Sequence, residues 1–266
     1  MISVMPRPKP QSKKPPCTDP RFYVNRIIEK SGTHAEKWGA RYDDISSRAK
    51  NWRRQLLAHD INTERYVDDR DYDDYAKVFG PALTKFFGSR KILKFKKVLE
   101  LIMRGDKNPV IIEDGAGRGA FLHAIKPKLK RLGISPKTIA LALPAEGSLT
   151  TDILKLREES GSIDKVVLGP AELFVPKEKA NVIISLVGSM NHTIDEYRKD
   201  NLLKFAYSLK RGGLMMVAFA KDTHGPGFLE GVKRSFYKRG FDAEFYDFNL
   251  GPKDSPKTVL IAVRMK

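Results

Sequence analysis

The chain has 266 residues, 41% of them hydrophobic, and a formal net charge of +17. Such a length supports one large domain, with or without an appendage, and the charge predicts attraction to phosphate polymers or an acidic membrane surface, nucleic acid foremost. The single cysteine, Cys17, excludes an internal disulfide framework and any multi-cysteine zinc site, and the longest apolar runs, around 182–187 and 214–220, fall far short of the ~20 residues that cross a bilayer. No membrane insertion is expected. The basic N-terminus lacks the apolar centre of a secretory signal, so the expectation is an intracellular protein.

Residues 1–21 place Pro6, Pro8, Pro10, Pro15, Pro16 and Pro20 among lysines. Such a segment cannot bury enough to fold and is expected as an extended basic tail. Residues 22–104 read as a helical extension. Thr33-His34-Ala35-Glu36 opens it as a capping box for a helix running to about Leu57. The acidic run "YVDDRDYDDY" (66–75) matches no cation loop and reads as a solvated or arginine-paired surface. In "LTKFFGSRKILKFKKVLELIM" (84–104), Phe87, Leu93, Phe95, Val98, Leu99 and Ile102 alternate with Lys85, Arg90, Lys91, Lys94, Lys96 and Lys97. That pattern predicts a buried stripe with a basic outer face, and the face suits phosphate.

From residue 110 the rhythm becomes strand, helix, strand. Strands are predicted at 110–114, 138–143, 165–168, 181–186, 214–219, 242–248 and 258–264, with helices at 202–209 and 228–238. Alternating elements predict an α/β fold with a doubly wound, seven-stranded sheet over 105–266. Only the turn "NLGPKDSPK" separates the last two strands, so the final strand is expected to pair antiparallel.

The first strand ends in Glu113-Asp114-Gly115-Ala116-Gly117-Arg118-Gly119. Glycines alternating after a strand and before a helix give a tight turn free of side chains, which suits close approach of a cofactor. The spacing is shorter than that of dinucleotide loops, and the Gly-Lys-Ser/Thr of phosphate loops is absent.

With these features the sequence resembles the class I methyltransferases that use S-adenosyl-L-methionine, a Rossmann-like fold. Glu113 stands at their first-strand acid, Gly115, Gly117 and Gly119 at their cofactor turn, and "SLKRGGLMMVAF" (208–219) at their turn before strand five. Asp114 departs from the pattern, which has an apolar residue there. "SRKILK" (89–94) and "AKDTHGPGFLEGVKRSFYKRGF" (220–241) are similar to the FtsJ-type ribose 2′-O-methyltransferases. "GTHAEKWGARYDDISSRAKNWRRQLLAHDI" (32–61) and "LFVPKEKANVIIS" (173–185) resemble the flavivirus RNA-capping methyltransferase domain, which precedes the viral polymerase.

This resemblance implies an RNA methyltransferase acting on a viral-type cap, with capped or 5′-end RNA as partner and a polymerase or replicase nearby. It implies host cytoplasm or a replication complex as location. Relatives of the 2′-O type use a Lys-Asp-Lys-Glu tetrad, in which a lysine of lowered pKa steers a poorly nucleophilic hydroxyl. Lys94 matches the first lysine, whereas the other positions fall on Leu186, Ala218 and Thr258. A slip in register would instead recruit Lys221 or Asp222. The relatives' adenine contact falls near Ala171, with Glu172 adjacent, and Glu146 is the nearest candidate for the cofactor ribose. In the extension, Trp52, or else Trp38, would stack the cap guanine, with Lys37, Arg48, Lys50 and Arg53 toward the triphosphate and Arg90 and Lys91 toward RNA. His192 lies just past strand four, where a loop hydrogen-bonding role and a base role are both open. The competing reading is a degenerate methyltransferase fold kept as an RNA-binding or scaffold module.

Overall fold

The computed structural model describes residues 19–23, 25–26, 71–89, 91, 93–142, 149–168, 174–186, 195–220, 224–248 and 257–265. Helicity begins at Pro20, inside the stretch expected to be tail. Asp19 starts it: its Oδ1 accepts from the Arg21 amide at 2.9 Å, and proline follows at the first helical position, where no amide is needed. Tyr23 is buried, stacks on Tyr207 at 5.5 Å, and Arg26 reaches Asp200.

The acidic run turns out to hold a helix start. Asp71 caps α1 (Tyr72–Phe86), accepting from the Asp73 and Asp74 amides while Asp74 reaches back to the cap amide. Such a reciprocal cap satisfies otherwise orphaned donors and is worth roughly 1 kcal/mol. The expected continuous stripe across 84–104 is broken. Gly88, at φ 59, ends α1 by donating to Lys85 while Ser89 donates to Thr84, a left-handed stop open to glycine at little cost. Phe87 is therefore exposed. The chain restarts as α2 (Phe95–Met103).

Then come β1 (Val110–Asp114), α3 (Ala120–Lys130), β2 (Lys137–Ala142), α4 (Leu149–Glu159), β3 (Lys165–Leu168), β4 (Ala180–Leu186), α5 (Asp195–Tyr207), β5 (Leu209–Ala220), α6 (Phe228–Tyr237), β6 (Phe241–Phe248) and β7 (Lys257–Arg264). All seven predicted strands are found. β5 starts five residues earlier than expected, the turn before it being absorbed into the strand next to a register irregularity against β4. The helix predicted at 202–209 begins already at Asp195.

The sheet order is β3-β2-β1-β4-β5-β7-β6. Neighbours run parallel from β3 to β5, while β7 lies antiparallel between β5 and β6. One face carries α1, α2 and α3 over Ile111, Val182, Ile184, Met216 and Ile261. The other carries α5 and α6 over Ile112, Ile183, Val217 and Leu260. Residues 72–103, assigned from sequence to the helical extension, thus share one hydrophobic core with the sheet: Phe79, Leu83, Leu99 and Met103 are all fully buried. Each such side chain contributes on the order of 2 kcal/mol by removal from water. No helix among the described residues is long and apolar enough to cross a membrane.

Candidate functional site

Strand order reverses between β1 and β4, and in such sheets the crevice beyond the strands' carboxyl ends is where ligands bind. The glycine turn sits there. Gly115, Gly117 and Gly119 all take positive φ, at 71°, 52° and 74°. The turn is pinned at its start by the Gly115 and Ala116 amides, which both donate to the Leu141 carbonyl at 3.0 Å. At its end, Arg157 of α4 donates through Nη1 to the Arg118 carbonyl at 2.5 Å. Glycine is also demanded by packing: a Cβ on Gly119 would lie 2.4 Å from Ile163 Cδ1 and 3.0 Å from Leu154 Cδ2. Gly119 opens α3 with no side-chain cap, and of the first amides of that helix the Leu122 amide already serves the Glu113 carboxyl.

The two acids before the turn point to opposite faces of β1, as alternate residues must. Glu113 enters the α1–α3 layer and is about 1% exposed. Tyr75 of α1 donates to its Oε1 at 2.5 Å, and the Tyr75 ring stacks on Phe121 at 4.2 Å. Glu113 Oε2 is buried with no hydrogen-bond partner among the described residues. Desolvation raises its pKa to about 8, against the opposing pull of the Tyr75 hydroxyl and of Arg157. Burial therefore favours the protonated carboxyl, against hydrogen bonds from Tyr75 and the Leu122 amide. Asp114, on the other face, is buried at the seam of β1 and β4, where Ser185 Oγ donates to its Oδ2 at 2.9 Å. A polar partner on β4 is what allows an acid at a place that is apolar in the resembling enzymes.

Lys94 stands exposed at the N-terminal boundary of α2, and Lys91 is exposed in the turn before it. In the sheet, Leu186 pairs with Ala218 and Ala218 with Val259. All three are buried on the α1–α2 face. Thr258 faces the other way, sharing strand parity with Leu260 and Ala262, and donates to Asp247 Oδ1 at 2.7 Å. The fourth tetrad position on the tetrad's face is thus Val259 rather than Thr258, and the three strand positions are apolar throughout. Glu172, Lys37, Arg48, Lys50, Trp52, Arg53 and Arg90 lie outside the described residues, as do Glu146, Ala171, His192, Trp38, Lys221 and Asp222. Among the described residues no group of three or more His, Cys, Asp or Glu could hold a metal ion.

Tyr75 and Arg157 went unnoticed in the sequence. Tyr75 closes on an acid 38 residues away and Arg157 on a carbonyl 39 residues away, and no local pattern marks either.

The seven strands, their order and the reversed β7 define the fold of class I S-adenosylmethionine-dependent methyltransferases. A Listeria monocytogenes protein described as a member of that class superimposes with a TM-score of 0.52 at 14% identity, over 75% of this chain and 70% of that one. An rRNA methylase from Streptococcus thermophilus aligns at TM-score 0.46 and 13% identity, over 64% of this chain and 94% of its own. CalS10, an amino pentose methyltransferase from Micromonospora echinaspora, aligns at 0.45 and 12%, over 70% and 96%. At such identities the likeness is one of fold. The sequence matches no protein-family model and no curated protein.

Proposed function

We propose that the chain is an S-adenosylmethionine-dependent RNA methyltransferase that modifies the 5′ end of RNA, in the manner of the viral capping enzymes its sequence resembles, beside a polymerase or replicase. The observation that carries this reading is the glycine turn, with three left-handed glycines at the sheet's reversal point opening an uncapped helix. The turn fits such a cofactor: Gly115, Gly117 and Gly119 all take positive φ and admit close approach, and Gly119 also lets the turn pack on Ile163 and Leu154. Glu113, buried at the end of β1 and favoured in its protonated form, directly precedes it. Glu172 is assigned to the adenine on the resemblance alone. When bound, the cofactor supplies an electrophilic methyl group on a sulfonium.

The rest falls to the chain. No general base stands at Leu186, Ala218 or Val259, so these positions cannot take a proton from a ribose hydroxyl. An acceptor with its own lone pair, such as guanine N7, needs only to be oriented and kept from water, which effective-molarity arguments allow to supply several kcal/mol. The Leu186–Ala218–Val259 row is apolar and packed in the core, and supplies no acid–base group. That same row favours a second reading, a fold retained to bind RNA without catalysis.

Isothermal calorimetry with S-adenosylmethionine separates the two. Micromolar to sub-millimolar binding, abolished in Gly117→Asp, is expected, followed by transfer of labelled methyl to capped RNA. Absence of binding at millimolar cofactor would sink the enzyme reading.

A further inference from the structure

A cavity of about 990 Å³ lies between α1, α2 and the end of α3 opposite the glycine turn. Its size is at the upper end of the range for ligand sites. Pro81 and Leu93 give it a half-buried apolar lining, the exposed Leu132 lies at its edge, and its rim is cationic, with Lys96 from α2 and Lys128 and Arg131 from α3 and the turn after it. The carboxylate lining it is Glu100. That group is held by Lys97 at 3.0 Å and by Arg104, and these bonds lower its pKa. Its charge is taken up by Lys97, itself a lining residue, and by Arg104, which leaves Lys96, Lys128 and Arg131 as rim cations.

Two aromatic residues line the cavity, Tyr72 and the buried Phe95. One face of the Tyr72 ring leans on Phe95 at 5.7 Å, and its hydroxyl accepts from the Lys96 amide at 3.0 Å, which fixes the ring. Lys128 Nζ rests 4.1 Å from the ring centroid. A cation parked on a fixed ring beside further cations is an arrangement that a nucleobase can enter by exchange. The base takes the ring face, and the displaced ammonium is left next to the flanking phosphate.

We propose that this groove is a track for single-stranded RNA, with Tyr72 as its stacking platform and Lys96, Lys128 and Arg131 as phosphate contacts. The choice of RNA rests on the function proposed above. A concave site with a rigid ring suits an unstacked base better than a membrane, which asks for a convex, cationic and apolar-tipped surface. Three residues along the same helix Tyr75 reaches Glu113, so α1 joins the groove to the cofactor turn.

The test is fluorescence anisotropy of the full chain with a labelled oligoribonucleotide across a salt series. Wild type should bind, with affinity falling as salt rises. Lys128→Glu combined with Arg131→Glu should lower the slope of log affinity against log salt by about 1.4, two contacts at about 0.7 each for a single strand. Tyr72→Leu should weaken binding about 5- to 100-fold with little change in slope, because stacking is not ionic. Arg234→Glu with Lys238→Glu, on α6 across the sheet, should follow the wild-type slope more closely than the groove pair. Melting curves confirm that each variant folds.

Groove variants that bind as wild type overturn the track and leave the RNA reading standing. A wild type that ignores RNA at low salt overturns both. Equal loss for single strands and blunt duplex in Tyr72→Leu overturns the stacking role, and a groove pair that keeps RNA but loses binding to phosphatidylserine vesicles overturns the track. Cofactor calorimetry on the same variants should be unchanged, which separates failure of the groove from failure of the methyltransferase reading.

Discussion

Replacing Glu113 by Gln tests the reasoning about the acid under the glycine turn. In the folded protein the carboxyl keeps its proton to about pH 8, whereas unfolded it releases it near 4.5. Between those values the folded state binds more protons than the unfolded state, so stability must fall as pH rises. The interval, at about 1.4 kcal/mol per unit, is on the order of 5 kcal/mol by pH 8, and the loss levels off above that. Gln cannot ionise, keeps an oxygen for the Tyr75 hydroxyl and fills the same volume. The variant should match wild type at pH 5 and exceed it increasingly from pH 6 to 8. Urea denaturation at pH 5, 6, 7 and 8 reads this directly, and even 1 kcal/mol of divergence is resolved. Parallel pH profiles for the two proteins would refute the neutral-carboxyl account.

Gly119→Ala combines a left-handed backbone with a Cβ driven against Ile163; it should cost about 2 kcal/mol in equilibrium denaturation and weaken cofactor binding at least tenfold. Asp71→Ala removes the cap of α1 and should cost about 1 kcal/mol in the same denaturation assay, with cofactor affinity held. A cofactor loss in the second variant as large as in the first would show that the turn is not specific.

The sheet was legible because buried parallel strands read as apolar runs, as at 110–114 and 181–186, and the less buried edge strand at 165–168 is also found at the expected residues. The reversed β7 followed from the absence of room for a helix after β6. What misled was local signal hidden inside stronger composition. Asp71 and Asp74 are a helix start, concealed in an acidic run, and Gly88 is a helix stop, concealed in an apolar and basic one. Asp19-Pro20 is a start signal lost in a proline-rich tail. The site was half legible. Glycines advertise backbone conformation, so the turn shows in sequence. The Tyr75–Glu113 and Ser185–Asp114 contacts depend on tertiary distance, and the row Leu186, Ala218, Val259 depends on strand parity, where a shift of one residue exchanges faces.

The order of the strands leaves β3 and β6 as the borders of the sheet, and each is guarded differently. β3 is only four residues long, too short to recruit a stranger. β6 has eight residues but sets Asp242, Glu244 and Asp247 among its aromatic side chains, in a chain that is otherwise strongly cationic. Charged side chains along an edge strand, here Asp242, Asp247 and the Glu244–Lys233 pair, oppose the open-ended strand addition from which fibrils grow. A protein with so many aromatic residues on its last hairpin therefore carries its own brake on self-assembly.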